Sequence, residues 1–195
     1  MTTQFTIVGL GQIGASVGLA LGKGQMDIHR IGHDKSPEVA KKAKKIGAVD
    51  EVKLNLPASV RKANIVLLSL PVNEIRSTLE IIAPDLSEGT IVLDTAPAQT
   101  AVAKWAQEIL PERRYYIGLV PAINPIYLHR TELGIEAAEE DLFEDGIVMV
   151  GTLPGIPENI INTVVELIKM LGSNPIFADM SEIDGLISST HIVPS

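Results

Sequence analysis

Residues 5–21, FTIVGLGQIGASVGLAL, combine two signals that determine the architecture of the chain. The apolar run before the first glycine predicts a β-strand, and apolar residues at helical spacing after the last glycine predict an α-helix. Between them, Gly9, Gly11 and Gly14 follow the spacing Gly-x-Gly-x-x-Gly. The first glycine of such a loop permits a tight turn, the second lets the backbone approach a pyrophosphate, and the third lets helix pack closely on strand. The pattern predicts a dinucleotide site at the start of the helix.

The acidic residue Asp34 strengthens this prediction, because it follows a second predicted strand, 28–33, and lies 20 residues beyond Gly14. A carboxylate at this place can accept hydrogen bonds from the adenosine ribose hydroxyls. It also repels the additional phosphate of NADP, so NAD is the predicted cofactor and NADP the less favoured one. The neighbouring Lys35 would weaken that repulsion. The alternative interpretation of the glycines is a helix-capping turn that binds no ligand.

Strands and helices alternate along the rest of the chain. Further strands are predicted at 48–52, 64–70, 90–93, 115–119, 146–150 and 175–178, and helices at 37–46, 75–82, 97–110, 133–143, 157–171 and from 181 onward. This alternation implies right-handed crossovers and a doubly wound, mainly parallel α/β sheet of the Rossmann type. Residues 120–125 contain two prolines and are predicted to form a loop. We expect residues 1–179 to form the dinucleotide-binding domain and residues 180–195 to begin a C-terminal helical segment.

Bulk composition excludes several classes of protein. The chain of 195 residues is 46% hydrophobic and 21% charged, which is typical of a folded globular protein. It has no cysteine, and its four histidines show no metal-ligand spacing, so neither a disulfide nor a metal site is predicted. A net charge of −8 disfavours nucleic acid as a partner. Since no apolar stretch is long enough to span a membrane, we expect a cytoplasmic protein without membrane contact.

Five blocks, taken in order, resemble one enzyme family. They are GLGQIGASVGLAL, GHDKSPEVAKKAKKIGAVDE, LLSLPVNEI with IVLDTAP, LFEDGIVMVGTLP and EIDGLISSTHIVPS. In this combination they resemble the prephenate and arogenate dehydrogenases of tyrosine biosynthesis. The resemblance implies an NAD-dependent oxidative decarboxylation of prephenate or arogenate, in which hydride passes to the nicotinamide, carbon dioxide is lost and the ring becomes aromatic. It also implies that the last block begins a crossing into a helical dimerisation domain, and that the full-length form is a homodimer.

The chain departs from this family where the chemistry is expected. Val120-Pro121 stands where the family carries a His-Pro pair, and valine can neither accept nor donate a proton. Pro97 replaces a family serine, and residues 191–195, HIVPS, replace the family's Ser-His-Leu-Pro-His. His191 is therefore the first candidate for proton transfer, and His129 is the second. Each histidine has the alternative of a purely structural or surface role.

The other predicted site residues lie at or near the carboxyl ends of strands, where ligands of open α/β sheets bind. Cofactor contacts are predicted for Gly9, Gly11, Gln12, Ile13, Gly14, Asp34, Lys35, Ser69, Leu70, Pro71 and Asp94. Asn124 is predicted to contact the substrate, although Asn124 and Asp94 could instead cap turns.

Three hypotheses for function follow. The first is a dehydrogenase of the prephenate type. The second is a small single-domain NAD(P) reductase, similar to the deazaflavin-dependent NADP reductases, against which Asp34 argues. The third is a non-catalytic NAD-binding or regulatory module, which the substitutions at positions 97 and 120 favour.

Overall fold

A computed structural model describes residues 2–24, 27–129 and 131–191. Within them a single sheet is formed by β1 Thr3–Val8, β2 Ile28–His33, β3 Glu51–Val52, β4 Ile65–Leu68, β5 Ile91–Asp94, β6 Tyr115–Pro121, β7 Ile147–Thr152 and β8 Asn174–Phe177. Their order in the sheet is β3-β2-β1-β4-β5-β6-β7-β8. The pairs from β3 to β6 are parallel, whereas β7 runs antiparallel to β6 and β8 runs parallel to β7. The mainly parallel sheet of the prediction is confirmed.

Helices cover both faces of this sheet. They are α1 Gln12–Lys23, α2 Pro37–Lys45, α3 Leu56–Val60, α4 Val72–Ile82, α5 Gln99–Ile109, α6 Glu158–Met170 and α7 Met180–His191. Buried residues of α1, α2 and α6 share one hydrophobic cluster, and those of α3, α4, α5 and α7 belong to a second. Alternate residues of β4 supply the two clusters, with Leu67 in the first and Leu68 in the second. Because both faces are buried, the strand is a continuous apolar run.

Local sequence explains where α2 begins and ends. The Ser36 hydroxyl accepts a hydrogen bond from the backbone N–H of Val39, and Pro37 occupies the first helical position. Gly47 follows the helix with a φ of +81°, which glycine adopts without strain. The sequence did not predict the helix α3, because five residues are too few to show a helical period. Its start is nevertheless encoded, since Asn55 accepts from the N–H of Ala58.

The predicted loop at 120–125 is wrong for its first two residues. Val120 and Pro121 belong to β6 and pair with Met149 and Val148 of β7. A proline is tolerated at position 121 because successive N–H groups of a strand point to opposite neighbouring strands. The N–H of the next residue, Ala122, points to β7 and donates to the carbonyl of Ile147. The nitrogen of Pro121 therefore points to the other side, where β5 has already ended at its last paired residue.

No helix in the described ranges is long and apolar enough to cross a membrane.

We expect Gly18→Ala to destabilise the fold, because a β-carbon at Gly18 of α1 would lie 2.2 Å from the carbonyl oxygen of Ala48. Overpacking of this kind costs about 1–3 kcal/mol. Gly185→Ala is the matched control, since the same change inside α7 meets no atom within 4 Å and removes a poor helix former. It should raise the free energy of unfolding by up to about 1 kcal/mol. Urea unfolding measures the free energy of unfolding of both variants and the wild type. If Gly18→Ala were as stable as the wild type, the close packing of α1 would be contradicted.

Candidate functional site

The site lies at the carboxyl end of β1, between β2 and β4. The chain leaves β1 into a helix on one face, while the helices after β4 cover the opposite face, and ligands of open α/β sheets bind in the crevice that results. A cleft of about 290 Å³ opens at this place. We call it the glycine-loop cleft; it is lined by Val8, Gly9, Gly11, His33, Asp34, Lys35, Leu56, Ser69, Leu70, Pro71, Glu74 and Thr78.

The glycines of the loop have separate structural roles. Gly9 has a φ of +91°, and a β-carbon on it would lie 2.2 Å from the carbonyl oxygen of Ser69. A β-carbon on Gly14 would lie 2.0 Å from the carbonyl oxygen of Gly9, so the third glycine lets α1 approach the loop. Around Gly11, by contrast, the corresponding space holds no atom within 4 Å. The backbone at Gly11 is therefore open to a ligand.

Gly11 is also the N-cap residue of α1 and offers no side chain to the first turn of the helix. The first turn of a helix exposes backbone N–H groups and the positive end of the helix dipole. No acidic side chain lies in that turn of α1. These features fit a pyrophosphate.

Asp34 fixes the other wall of the cleft. Its Oδ2 accepts from the backbone N–H of Leu10 at 2.8 Å, and its Oδ1 accepts from that of Ser36 at 2.9 Å. The carboxylate therefore joins the glycine loop to the start of α2. Each carboxylate oxygen can accept a second hydrogen bond, so both oxygens can still receive a ribose hydroxyl.

A second cavity, of about 390 Å³, lies beyond the glycine loop at the carboxyl ends of β5 and β6. We call it the apolar cavity; its lining is Ile13, Thr95, Pro97, Val120, Pro121, Met149, Leu186 and Ile187. Thr95 alone among these residues carries a polar side chain. Among the described residues that line it, none is an acid or a base. Since Gly11 lines the cleft and Ile13 lines the cavity, the start of α1 separates the two.

The helix α7 forms one wall of the apolar cavity and is anchored by Asp184. The Asp184 carboxylate accepts from the backbone N–H of Gln99 at 2.7 Å and from that of Thr100 at 3.0 Å. It thereby caps α5, whose own N-cap residue Ala98 makes no side-chain hydrogen bond. The neighbouring Ile183 is fully buried. No local signal in the sequence indicates this cap, because it joins residues 85 positions apart.

Asp94 is 0% exposed and lines neither opening. Its carboxylate accepts from the N–H of Ala96 at 3.0 Å and from the Tyr116 hydroxyl at 3.3 Å. Burial raises the pKa of Asp94 to about 6, although the hydrogen bonds to its carboxylate lower that pKa. Burial also raises the pKa of Tyr116. In this arrangement Asp94 shapes the loop that carries Thr95 and Pro97, whereas its predicted contact with the cofactor would require that loop to open.

The predicted site residues divide into groups. The cleft brings together Gly9, Gly11, Asp34, Lys35, Ser69, Leu70 and Pro71. Gln12 is half-buried in the first turn of α1, next to Ile13. Cleft residues without a sequence prediction are Val8, His33, Leu56, Glu74 and Thr78. Of these, Glu74 could have been found from the sequence, because it is an acid in the first turn of the helix after β4.

Of the residues predicted for catalysis and substrate binding, Asn124 and His129 line neither opening. Asn124 accepts from the N–H of Ile126 at 3.1 Å, so it caps the short 3₁₀ helix Pro125–Tyr127, as its alternative interpretation expected. His129 is exposed in the same segment and lines neither the cleft nor the cavity. Residue 191 ends α7, and the His191 side chain lies outside the described part of the structure.

The fold and the cleft define a Rossmann-type dinucleotide-binding domain. The family model of the prephenate dehydrogenase nucleotide-binding domain matches residues 17–177. The chain therefore belongs to the prephenate dehydrogenase family, as a nucleotide-binding domain. Curated relatives include the prephenate dehydrogenase of Bacillus subtilis, 29% identical over 191 residues that cover 96% of this chain and 50% of that protein. The cyclohexadienyl dehydrogenase of Zymomonas mobilis is 27% identical, with 98% of this chain and 63% of that protein covered.

Solved structures share this fold. The arogenate dehydrogenase of Synechocystis superposes with a TM-score of 0.84 at 26% identity, and the match covers 95% of this chain and 63% of that chain. The prephenate dehydrogenase of Aquifex aeolicus, in complex with hydroxyphenyl propionate and NAD+, shares the fold with a TM-score of 0.82 at 22% identity, over 95% and 63% of the two chains. The chain thus spans between half and two thirds of the length of these relatives.

The buried carboxyl of Asp94 predicts a pH dependence of stability that Asp94→Asn should remove. Because the folded pKa of about 6 lies above the ordinary value of 3.8, the contribution of Asp94 to stability is fully present below pH 3.8 and is lost as the pH rises through 6. The free energy of unfolding of the wild type, relative to the variant, should fall by about 3 kcal/mol between about pH 3 and pH 7. Urea unfolding at several pH values measures it. A difference that is constant or rises with pH would contradict the buried site.

Proposed function

We propose that this chain binds NAD and forms the nucleotide-binding domain of an oxidoreductase of the prephenate and arogenate dehydrogenase type, which carries out an oxidative decarboxylation in tyrosine biosynthesis. The observation that carries the proposal is the open backbone at Gly11 beside the Asp34 carboxylate, within one cleft at the carboxyl end of β1. Together they offer the two contacts that a dinucleotide with a free ribose 2′-hydroxyl requires. The names of the relatives support the reaction class.

The residues of the chain divide the binding task. The open backbone at Gly11 and the first turn of α1 would hold the pyrophosphate, and Asp34 would accept from the adenosine ribose. NAD, when bound, supplies the hydride acceptor. The side chains of Ile13, Val120 and Met149 would form a water-excluding wall beside the reacting ring.

A proton acceptor for the substrate hydroxyl must come from outside the described lining of the apolar cavity, because that lining holds no base. His191 remains our first candidate, since position 191 follows the cavity residue Ile187 by one helical turn. His129 remains the second, and Asn124 remains a proposed substrate contact.

The proposal includes a division of the chain and an assembly. Residues 1–179 would form the binding domain, and residues 180–195 would begin the connection to a dimerisation domain in the full-length form. We propose a homodimer in the cytoplasm, acting on prephenate or arogenate. Sedimentation velocity on the full-length form tests the dimer.

Titration with NADH and NADPH, followed by turnover assays with NAD and prephenate or arogenate, tests the function. Tight NADH binding with turnover of either acid supports the dehydrogenase. A chain that binds neither nucleotide would contradict the proposal at its first step.

A second candidate function, a non-catalytic NAD-binding or regulatory module, is favoured by the lining of the apolar cavity. Pro97 and Val120 occupy the positions where the resemblance expects serine and histidine. Neither side chain can transfer a proton. NADH binding without turnover, for the full-length form and with both acids, would support this candidate over the enzyme.

Asp34→Asn should weaken NADH binding and reduce the discrimination against NADPH, because it removes the negative charge at the ribose. We expect the NADH dissociation constant to rise about tenfold, in keeping with the worth of a hydrogen bond to a charged group. Asp27→Asn is the control, because it removes an exposed carboxylate just before β2, at the amino end of the strand whose carboxyl end carries Asp34. Fluorescence titration of the reduced nucleotides measures both variants. Unchanged affinity for both nucleotides in Asp34→Asn would exclude Asp34 from the site.

Val120→His should raise any dehydrogenase turnover, because it places an imidazole, with an ordinary pKa of about 6.5, at the cavity position where the resemblance implies a histidine. Met149→His is the matched control, since Met149 pairs with Val120 across β6 and β7 and lines the same cavity. The gain should appear in Val120→His alone and should follow a pH profile of one titrating group. Equal turnover of both variants and the wild type across the pH series would refute the role of position 120.

A further inference from the structure

Three charged side chains line the adenosine end of the glycine-loop cleft: Asp34, Lys35 and Glu74. Lys35 is the one lysine or arginine among the described residues of this lining. Its Nζ lies 2.6 Å from Oε1 of Glu74. The cation next to the ribose-binding carboxylate is thus already paired with a carboxylate of the protein.

The ion pair crosses the cleft. Lys35 follows β2, whereas Glu74 lies in the first turn of α4 after β4, and β1 with its glycine loop lies between these two strands. Both ends are held by hydrogen bonds close to the pair. The N–H of Glu74 donates to the carbonyl of Pro71, and the Thr78 hydroxyl donates to the carbonyl of Glu74. On the opposite side, the Asp34 carboxylate accepts from the N–H of Ser36, the residue after Lys35.

The charges of the cleft explain why this pair matters for the nucleotide. A 2′-phosphate on the adenosine ribose requires a cation at the end of β2, and a basic residue there is the general solution. Lys35 stands in the right position for this task, but its ion pair with Glu74 already neutralises it. Two features therefore disfavour a 2′-phosphate: the Asp34 carboxylate, which the sequence motif indicates, and the ion pair of Lys35 with Glu74, which it does not.

We propose that Glu74 is a specificity-determining residue, which holds Lys35 across the cleft and so prevents it from receiving the 2′-phosphate of NADP. The inference rests on the proposed binding of NAD. It assigns the choice of nucleotide to the group of Asp34, Lys35 and Glu74 rather than to Asp34 alone.

The exposure of the pair sets the size of the effect. The Lys35 side chain is 78% exposed and that of Glu74 is 32% exposed, so water screens their interaction. We expect Glu74→Gln to tighten NADPH binding about two- to fivefold, in keeping with the modest worth of exposed ion pairs. The NADH affinity should stay within about twofold, because NADH carries no 2′-phosphate for Lys35 to receive.

The experiment compares four variants with the wild type by fluorescence titration of NADH and NADPH at low and high salt. They are Glu74→Gln, Lys35→Gln, the double variant, and Glu80→Gln as the matched control. Glu80 lies in the same helix and pairs with Arg76, and it does not line the cleft. Glu74→Gln should gain affinity for NADPH, the double variant should lose that gain, and Glu80→Gln should resemble the wild type. The gain should shrink at high salt.

The result that overturns the inference is a gain that persists in the double variant, since it would arise from the lost charge of Glu74 without Lys35. An unchanged NADPH affinity in Glu74→Gln, or an equal gain in Glu80→Gln, would overturn it as well. In each of these cases the wild type still binds NADH, so the proposed function stands. If the wild type does not bind NADH, the proposed function fails, and this inference fails with it.

Discussion

The hydrogen bonds of the Asp34 carboxylate are the interaction on which the site depends. One oxygen holds the glycine loop at Leu10 and the other holds the start of α2 at Ser36. The loop is also held by a hydrogen bond from the Gly9 N–H to the carbonyl of His33 and by the buried side chain of Leu10. The residue that would select the ribose therefore also shapes the phosphate loop. A site built in this way is preorganised, so less ordering remains for the ligand to impose.

The two openings at this edge of the sheet have opposite chemistry. The glycine-loop cleft has charged side chains and backbone N–H groups, whereas the apolar cavity has one hydroxyl, that of Thr95. The cleft is suited to recognise the polar half of a dinucleotide. The cavity can shield a flat ring from water, but its described lining cannot move a proton. Binding and chemistry are thus separable in this chain.

Local patterns predicted much of the fold. The second strand and the cap and proline of α2 agree with the structure, because each depends on neighbours in the sequence. The glycine loop and Asp34 were found for the same reason, since the motif lies within one strand–helix–strand unit.

What the sequence did not show depends on contacts between distant segments. The sequence predicts that a loop begins at Val120, but the pairing of β6 with β7 extends the strand past this residue. The cap that Asp184 places on α5 and the ion pair of Lys35 with Glu74 join residues that only the folded sheet brings together. The burial of Asp94 likewise depends on how the loop after β5 folds back over the strand end, where Ala96 donates to its carboxylate.

The lining of the two openings also implies an order of assembly during synthesis. The glycine-loop cleft is built from residues 8–78, whereas the apolar cavity needs Leu186 and Ile187, about one hundred residues later. All residues of the glycine-loop cleft are therefore synthesised before the strands β5 to β8. A nucleotide that binds this early segment would stabilise the first half of the sheet by mass action before the last helix exists to close the second cavity.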